Sequence, residues 1–368
     1  MRMMRRVLAL AAVAAMTLLV TACERKITNV QVVEGPQTCF ACHSDSPTDT
    51  LHLFAAEQQW EHSFHASGRT LNENDGQCKN CHTSEGYVAR AGTCTSFAAA
   101  DQASVIPNPT TIGCFTCHAP HTNSDFRLRW ACPTTLQNGT MFDLHDGNLC
   151  ASCHQSRRNV KTYITASTKL SNRFGPHHGP QGDMLIGSNG YEYASYTYEQ
   201  TNHKGATTAN GLNACIECHM RTTSNNVIGG HSWNMSYDLN GTEILNTDAC
   251  TPCHGAINDF SDITLGNNSV QDSVTALTET LRQQLVAAGL LNDLTATTDP
   301  DLPTSVTTSA DSAGAVWNYL IVEADRSEGV HNAKYILGLL DSSIKFIGGG
   351  AGAPRPAPTA RVVAMRRR

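Results

Sequence analysis

The chain has 368 residues, a formal net charge of −6 and a pI near 6.2, with 15 cysteines and 16 histidines. The acidic balance argues against nucleic-acid binding, because that role calls for a basic stripe. No segment after the amino terminus approaches the 18 consecutive apolar residues of a membrane-spanning helix.

The amino terminus reads as an export signal. Three arginines precede an apolar run from residue 7 to residue 20, which is short for a membrane span. The run leads to Cys23 and resembles the bacterial lipoprotein signal, so we expect residues 1–22 to be removed and Cys23 to carry a lipid. An ordinary signal peptide with an incidental cysteine is the alternative. In either case the product is exported, with residues 23–36 as a tether.

A repeated motif dominates residues 37–262. Two cysteines stand three positions apart with a histidine directly after the second, which is the attachment signature of covalent c-type haem. The two thiols bond the porphyrin and the histidine is the proximal iron ligand. The six copies are, in order, Cys39, Cys42 and His43; Cys78, Cys81 and His82; Cys114, Cys117 and His118; Cys150, Cys153 and His154; Cys215, Cys218 and His219; and Cys250, Cys253 and His254. The sequence therefore predicts six covalent haems in a hexahaem domain.

Two other uses of paired cysteines are weaker alternatives. A structural zinc site needs two such half-sites around one metal. A thioredoxin-like redox pair normally occurs once, near a βαβ pattern. Neither explains why a histidine follows every copy.

The haem region is rich in Gly, Asn, Thr and Ser, a composition that alone would indicate loops. Covalent haem supplies apolar surface and ligand bonds on which short segments can pack. We therefore predict a mostly α fold with extensive irregular structure and little β. A tyrosine-rich patch suits one short strand, and packing on haem is its favoured role over a radical or ligand role. Its residues are Tyr191, Tyr193, Tyr196 and Tyr198.

From residue 263 the apolar spacing becomes helical. The first predicted helix has Asp272 and Ser273 as candidate caps. Its apolar stripe is Val274, Leu277, Leu281 and Leu285. Two more helices are predicted at about 313–324 and from 332 onward, with Gly329 between them. Residues 263–347 would complete the haem core and could serve a dimer, whereas residues 348–368 form a disordered tail.

Two cysteines, Cys94 and Cys132, belong neither to the motifs nor to the lipoprotein signal. In an oxidising compartment they could form a disulfide or remain free thiols.

Ten histidines lie outside the motifs, enough to give each of six irons a second imidazole. Several ordered segments resemble multihaem cytochromes of metal-reducing bacteria, a group related to cytochrome c nitrite reductase and hydroxylamine oxidoreductase. They include CHAPHT at 117–122, PHHGPQGDML at 176–185, GGHSW at 229–233 and GVHNAKY at 329–335. The resemblance implies the distal ligands His65, His121, His177, His203, His231 and His331. His62 and His178 are the first substitutes.

An iron with two protein ligands is closed to substrate, so the prediction is an electron carrier with no catalytic residues. The lipid would hold it at the outer membrane, on the periplasmic or surface face, beside another cytochrome or a porin-type partner. One alternative is a nitrite- or hydroxylamine-type reductase with one open haem, although no motif ends in lysine as in the commonest nitrite reductases. Another is a filament-forming cytochrome, which a lipidated Cys23 disfavours.

Overall fold

The structure is a computed structural model that describes residues 53–68, 71–91, 104–123, 126–130, 132–204, 213–292 and 306–349. The expected signal peptide, lipidated Cys23, tether and tail lie outside these ranges, apart from residues 348 and 349. Cys94 and the whole first haem motif, which consists of Cys39, Cys42 and His43, also lie outside them. Of the helices in the described ranges, none has both the length and the apolar character required to cross a bilayer.

Short helices occupy the motif-bearing region. They are α1 (Leu53–Glu61), α2 (Lys79–His82), α3 (Ser84–Ala91), α4 (Cys114–Cys117), α5 (Pro120–Asn123), α6 (Gly147–Ala151), α7 (Val160–Tyr163), α8 (Gln181–Leu185), α9 (Cys215–His219) and α10 (Thr251–His254). Three longer helices follow, namely α11 (Val270–Ala287), α12 (Ala310–Asp325) and α13 (Ala333–Ile347). Where the structure describes the connections between them, most are irregular or end in short strands.

The strands of the described residues form two-stranded antiparallel sheets. They are β1 (Thr134–Thr135), β2 (Met141–Phe142), β3 (Thr168–Lys169), β4 (Ser236–Leu239), β5 (Thr242–Leu245), β6 (Thr264–Leu265), β7 (Asn268–Ser269) and β8 (Thr307–Thr308). The pairs are β1 with β2, β3 with β8, β4 with β5 and β6 with β7. The prediction of a mostly α fold with much irregular structure and little β is confirmed.

Helix α11 begins at a cap that the sequence did not indicate. The Ser269 hydroxyl accepts a hydrogen bond from the Asp272 N–H at 3.2 Å, so the prediction of Asp272 or Ser273 as the cap is wrong. The chain enters the helix directly from the β6–β7 hairpin, which ends at Ser269. The predicted apolar stripe is confirmed as a buried face, and Leu281 and Leu285 are fully buried.

Helix α12 lies at the centre of the main hydrophobic core. It is buried at every position from Ala313 to Val322, as expected for a helix that packs on all sides. It packs against α11 and α13, which also pack against each other. Gly314 admits the Tyr191 ring, because a Cβ at this position would lie 2.1 Å from a ring carbon.

The tyrosine patch forms no strand, so the strand prediction is wrong. The hydroxyl of Tyr191 donates to Asp311 Oδ1 at 2.6 Å, and that of Tyr193 to the Asp311 carbonyl at 2.9 Å. The Tyr198 hydroxyl lies 3.0 Å from Ser342 Oγ on α13. These bonds tie the segment to the carboxyl-terminal helices, which replaces the pairing that a strand would need.

Among its described residues, the motif-bearing region has little apolar core of its own. Two small clusters lie there, one around Phe142 and Leu144 and one around Tyr87 and Trp130. Cys132 packs at the second cluster and is disulfide-bonded, whereas Cys94, its candidate partner, lies outside the described residues.

Candidate haem sites

Each motif within the described residues forms a single helical turn. In the second motif, the His82 N–H donates to the Cys78 carbonyl at 3.1 Å, and the third, fourth and sixth motifs repeat this bond. The fifth motif is the helix α9. The turn brings two thiols and one imidazole together on a short, rigid segment.

The cysteines of these five motifs are free of disulfides and available for thioether bonds. Cys218 of the fifth motif and Cys253 of the sixth are exposed, whereas the other eight motif cysteines are partly buried. The second cysteine of each of the last two motifs is therefore the most exposed. The corresponding residues of the first motif, Cys39, Cys42 and His43, lie outside the described ranges, so the first haem site stays a prediction.

Every motif histidine in the described residues faces a second histidine from a distant part of the chain. The ring centroids lie 6.1 Å apart for His82 and His177, 6.4 Å for His118 and His231, 6.1 Å for His154 and His65, 6.2 Å for His219 and His331, and 6.1 Å for His254 and His203. Five of the six expected distal histidines therefore lie opposite a motif histidine.

The spacing within these pairs fits one metal ion between two imidazoles. A ligating nitrogen lies about 2 Å from a metal such as zinc, and each ring centre lies roughly 1 Å behind its nitrogen, so the centroids are about 6 Å apart. Each pair would therefore hold one haem iron between two histidine side chains.

Hydrogen bonds at Nδ1 orient six of these rings. This arrangement is typical of metal-ligating histidines, because it fixes the ring and leaves Nε2 for the metal. The acceptors are Phe126 O for His118 (2.7 Å), Gln181 Oε1 for His154 (3.1 Å), His178 O for His177 (3.1 Å), Val330 O for His203 (2.6 Å), Trp233 O for His219 (2.9 Å) and Asp325 Oδ1 for His331 (2.7 Å). The residues present therefore fit covalent haem.

Burial favours the neutral form of most paired imidazoles, which is the form that binds a metal. Loss of water contact lowers the pKa of His65 and of His219 to about 4. His331 differs: burial opposes its protonation, but the Asp325 carboxylate outweighs burial and raises the pKa of His331. This makes His331 the electrostatic exception among the rings.

One turn between α12 and α13 serves two sites. His331 belongs to it, and the neighbouring Val330 carbonyl accepts the bond from His203. The turn is compact because Arg326, Glu328 and Gly329 all have positive φ, at 58°, 49° and 95°. A Cβ on Gly329 would lie 2.7 Å from Val274 Cγ2 on α11, so the turn rests directly on that helix.

Cysteines of different motifs also meet. The Cys81 and Cys153 thiols influence each other's ionisation, and so do those of Cys150 and Cys215. Cys218 is close enough to Cys250 and Cys253 of the sixth motif for their charges to interact. The fourth motif thus lies between the second and the fifth.

The other candidate histidines have different surroundings. The His121 ring lies 5.5 Å from the Phe115 ring. His121 is the expected distal histidine that is left for His43 of the first motif, and His43 lies outside the described residues. His62 meets Tyr237 edge-on at 5.6 Å, and His178 lies 5.5 Å from His177. The sixth pairing stays a prediction.

The residues that accept these Nδ1 bonds were not anticipated from the sequence. Gln181 bonds His154, Asp325 bonds His331, and the Trp233 carbonyl bonds His219. Gln181 lies in the PHHGPQGDML segment, shortly after two histidines in the sequence. This position was the one sequence signal that could have pointed to its role at a haem site. Asp325 ends a helix that is buried along most of its length, where a buried acid needs a partner.

No family model matches the chain. Two curated proteins of Geobacter sulfurreducens are similar to it, and each is 25% identical over 242 residues, or 56% of this chain. They are the C-type polyheme cytochromes OmcC and OmcB, of which the match covers 30% and 31%. This similarity supports a multihaem c-type cytochrome with covalently bound haems. The chain spans about a third of the length of these curated relatives.

A solved structure, that of the outer cell wall cytochrome OcwA, is also similar to this chain. The TM-score is 0.43 at 21% identity, over 78% of this chain and 49% of that chain. The kinship with nitrite and hydroxylamine enzymes stays a prediction.

Proposed function

We propose that this protein is an electron-transfer cytochrome with six covalent haems, each held between two imidazoles. The observation that carries the proposal is the set of five ring pairs, each joining a motif histidine to a distant histidine. Bound haem supplies reversible one-electron exchange at its iron. Two imidazoles at each site exclude substrate from the iron, so electron exchange is the remaining chemistry.

The contacts between motifs support passage from site to site. Thioether bonds would attach each haem to its motif, so motifs whose cysteines lie near each other would hold their haems close together. Cys81 and Cys153 link the second motif to the fourth, and Cys150 and Cys215 link the fourth to the fifth. Electrons would follow this order, with the sixth motif adjoining the fifth.

The protein side chains keep the sites rigid. Nδ1 bonds to backbone carbonyls fix His118, His177, His203 and His219. A rigid ligand pair changes little between oxidation states, which favours fast exchange. The chain needs to move no proton and bind no substrate for this role.

The setting follows from the amino terminus. We propose that Cys23 carries a lipid and anchors the cytochrome to the outer membrane. Redox partners would be other cytochromes or a porin-type protein, in an extracellular form of respiration. Replacing Cys23 by serine should move the protein from the membrane to the soluble fraction with its haem content unchanged. Membrane retention of C23S would contradict the anchor.

The haem count and the closed coordination are tested together on the purified exported protein. The intact mass should show six added haems, and electron paramagnetic resonance should show only low-spin ferric iron. Nitrite and hydroxylamine should be neither bound nor reduced. A high-spin iron that binds nitrite would instead favour the reductase alternative.

A further inference from the structure

The Nδ1 acceptors of the paired histidines are not equivalent. Of the six acceptors described above, five are neutral oxygen atoms and one, Asp325 Oδ1, belongs to a carboxylate. Its partner His331 lies opposite His219, the histidine of the fifth motif. The fifth site therefore differs electrostatically from its neighbours.

We propose that Asp325, acting through His331, gives the fifth haem the lowest reduction potential of the five described sites. This rests on the proposed function, because it requires a haem between His219 and His331. Asp325 is a positioning and tuning residue, since it touches the ligand and not the iron.

The local structure fixes the carboxylate for this role. Asp325 is the last residue of α12 and is 2% exposed, so little water screens its charge. Its Oδ2 accepts a hydrogen bond from the Ser327 hydroxyl, and Ser327 Oγ accepts from the His331 N–H at 3.3 Å. The Asp325 carboxylate therefore cannot turn away from the His331 ring without breaking its hydrogen bonds to His331 and Ser327.

The direction of the effect follows from charge. A carboxylate that accepts the Nδ1 proton makes the imidazole a stronger donor to iron. Stronger donation and a nearby negative charge both stabilise ferric over ferrous iron, so the potential falls. A backbone carbonyl or a glutamine amide has the same direction but a smaller effect, because it carries no net charge.

The location makes the effect relevant to electron flow. Cys215 of the fifth motif contacts the fourth motif, and Cys218 lies near the sixth. Gln181 also joins the fourth and fifth sites, because its Oε1 bonds His154 while its Nε2 donates to the Asp325 carbonyl at 3.2 Å. With the lowest reduction potential, the fifth haem would be the hardest of the five to reduce. It would therefore pass electrons between its neighbours and would not hold them.

The test is a spectroelectrochemical titration of the haem-loaded protein. In Asp325→Asn the side chain keeps its shape and loses its charge, so the lowest midpoint potential should rise. We expect a rise of at least about 59 mV, which corresponds to a tenfold change in the equilibrium constant for one electron. The matched control is Asp341→Asn, which removes the same charge from a half-exposed pair with Lys345. All midpoints of the control should stay at their wild-type values.

A second variant guards against poor folding of the first. Ser327→Ala keeps the carboxylate but removes a donor from it, which strengthens its bond to His331, so the same lowest midpoint should fall. An unmoved lowest midpoint in the variants that load haem would overturn the proposal. Failure of the proposed function looks different, since the wild-type protein would then show missing haem mass or high-spin iron before any titration.

Discussion

The indole of Trp233 meets the imidazole of His65 edge-on, with ring centroids 4.8 Å apart. The same indole lies 5.8 Å from the His231 ring, and the Trp233 carbonyl accepts the Nδ1 bond of His219. One residue therefore touches rings from three sites. Its φ of 54° is unusual for a bulky side chain, so the surrounding contacts hold it in place.

The first prediction concerns this residue. Trp233→Ala should lower the free energy of unfolding by about 2 kcal/mol, less than for a fully buried tryptophan. Loss of the ring should also loosen His65 and His231 and broaden the low-spin resonances of the third and fourth haems. Trp233→Phe keeps an aromatic edge and should show a smaller change in both. Equal spectra for W233A and the wild type would contradict a supporting role for the ring.

The second prediction uses two adjacent histidines. His177→Ala should convert one iron to a high-spin form that binds added imidazole, because the His177 ring lies opposite His82. His178→Ala is the matched control, since the side chain is its neighbour and only its backbone carbonyl bonds His177. The control should keep the wild-type spectrum. A high-spin signal in H178A and not in H177A would reverse the assignment.

The third prediction concerns pH. Asp183 is fully buried, and burial raises its pKa to about 6, although the Ser156 N–H bonds one oxygen at 2.7 Å. The pKa of Asp183 is higher in the folded state than in the unfolded state. The full contribution of this carboxyl to the free energy of unfolding is therefore present below about pH 4 and is lost as the pH rises through about 6. The loss is of the order of 3 kcal/mol. Asp183→Asn should remove this slope.

Denaturant unfolding from pH 4 to pH 7 measures the Asp183 effect. The stability difference between D183N and the wild type should grow with pH over that range. A constant difference would show that the carboxyl titrates alike in both states.

The fourth prediction compares two glycines with positive φ. Gly329 has a φ of 95° and would place a Cβ 2.7 Å from Val274, whereas Gly289 has a φ of 67° with open space around it. Gly289→Ala should cost about 1 kcal/mol from backbone strain alone. Gly329→Ala should cost roughly 1 to 3 kcal/mol more, because α11 and the turn must separate.

Spectra separate the two glycine variants further. G329A displaces the turn that carries Val330 and His331, so the signals of the fifth and sixth haems should shift. G289A should leave them unchanged. Identical stability for the two alanine variants would mean that the turn does not depend on its contact with α11.

The sequence predicted the elements whose signals are local. The stripe through Leu281 and Leu285 follows from helical spacing. The strand prediction for the tyrosine patch was wrong because alternation alone does not show whether a neighbouring strand exists. The tyrosine hydroxyls bond Asp311 and Ser342 instead. Cap positions shift by a few residues for a similar reason, since the hairpin before Ser269 sets the start of α11.

The pairing of motif histidines with distal histidines could not be predicted from the sequence. Histidine content indicated that six distal ligands were available, and a resemblance selected them, but nothing in the sequence matched His65 with His154 or His203 with His254. These pairs depend on tertiary packing. The Asp325 contact with His331 was invisible for the same reason, because it forms only when the turn after α12 closes.

The ring pairs also constrain how the protein matures. His82 faces a residue far downstream, His65 faces one far downstream too, and His219 faces His331, close to the end of α12. A chain synthesised from its amino terminus therefore cannot complete these sites in order as it emerges. The fifth site would be the last of the described sites to close, because a chain that ends before residue 331 lacks the histidine that faces His219.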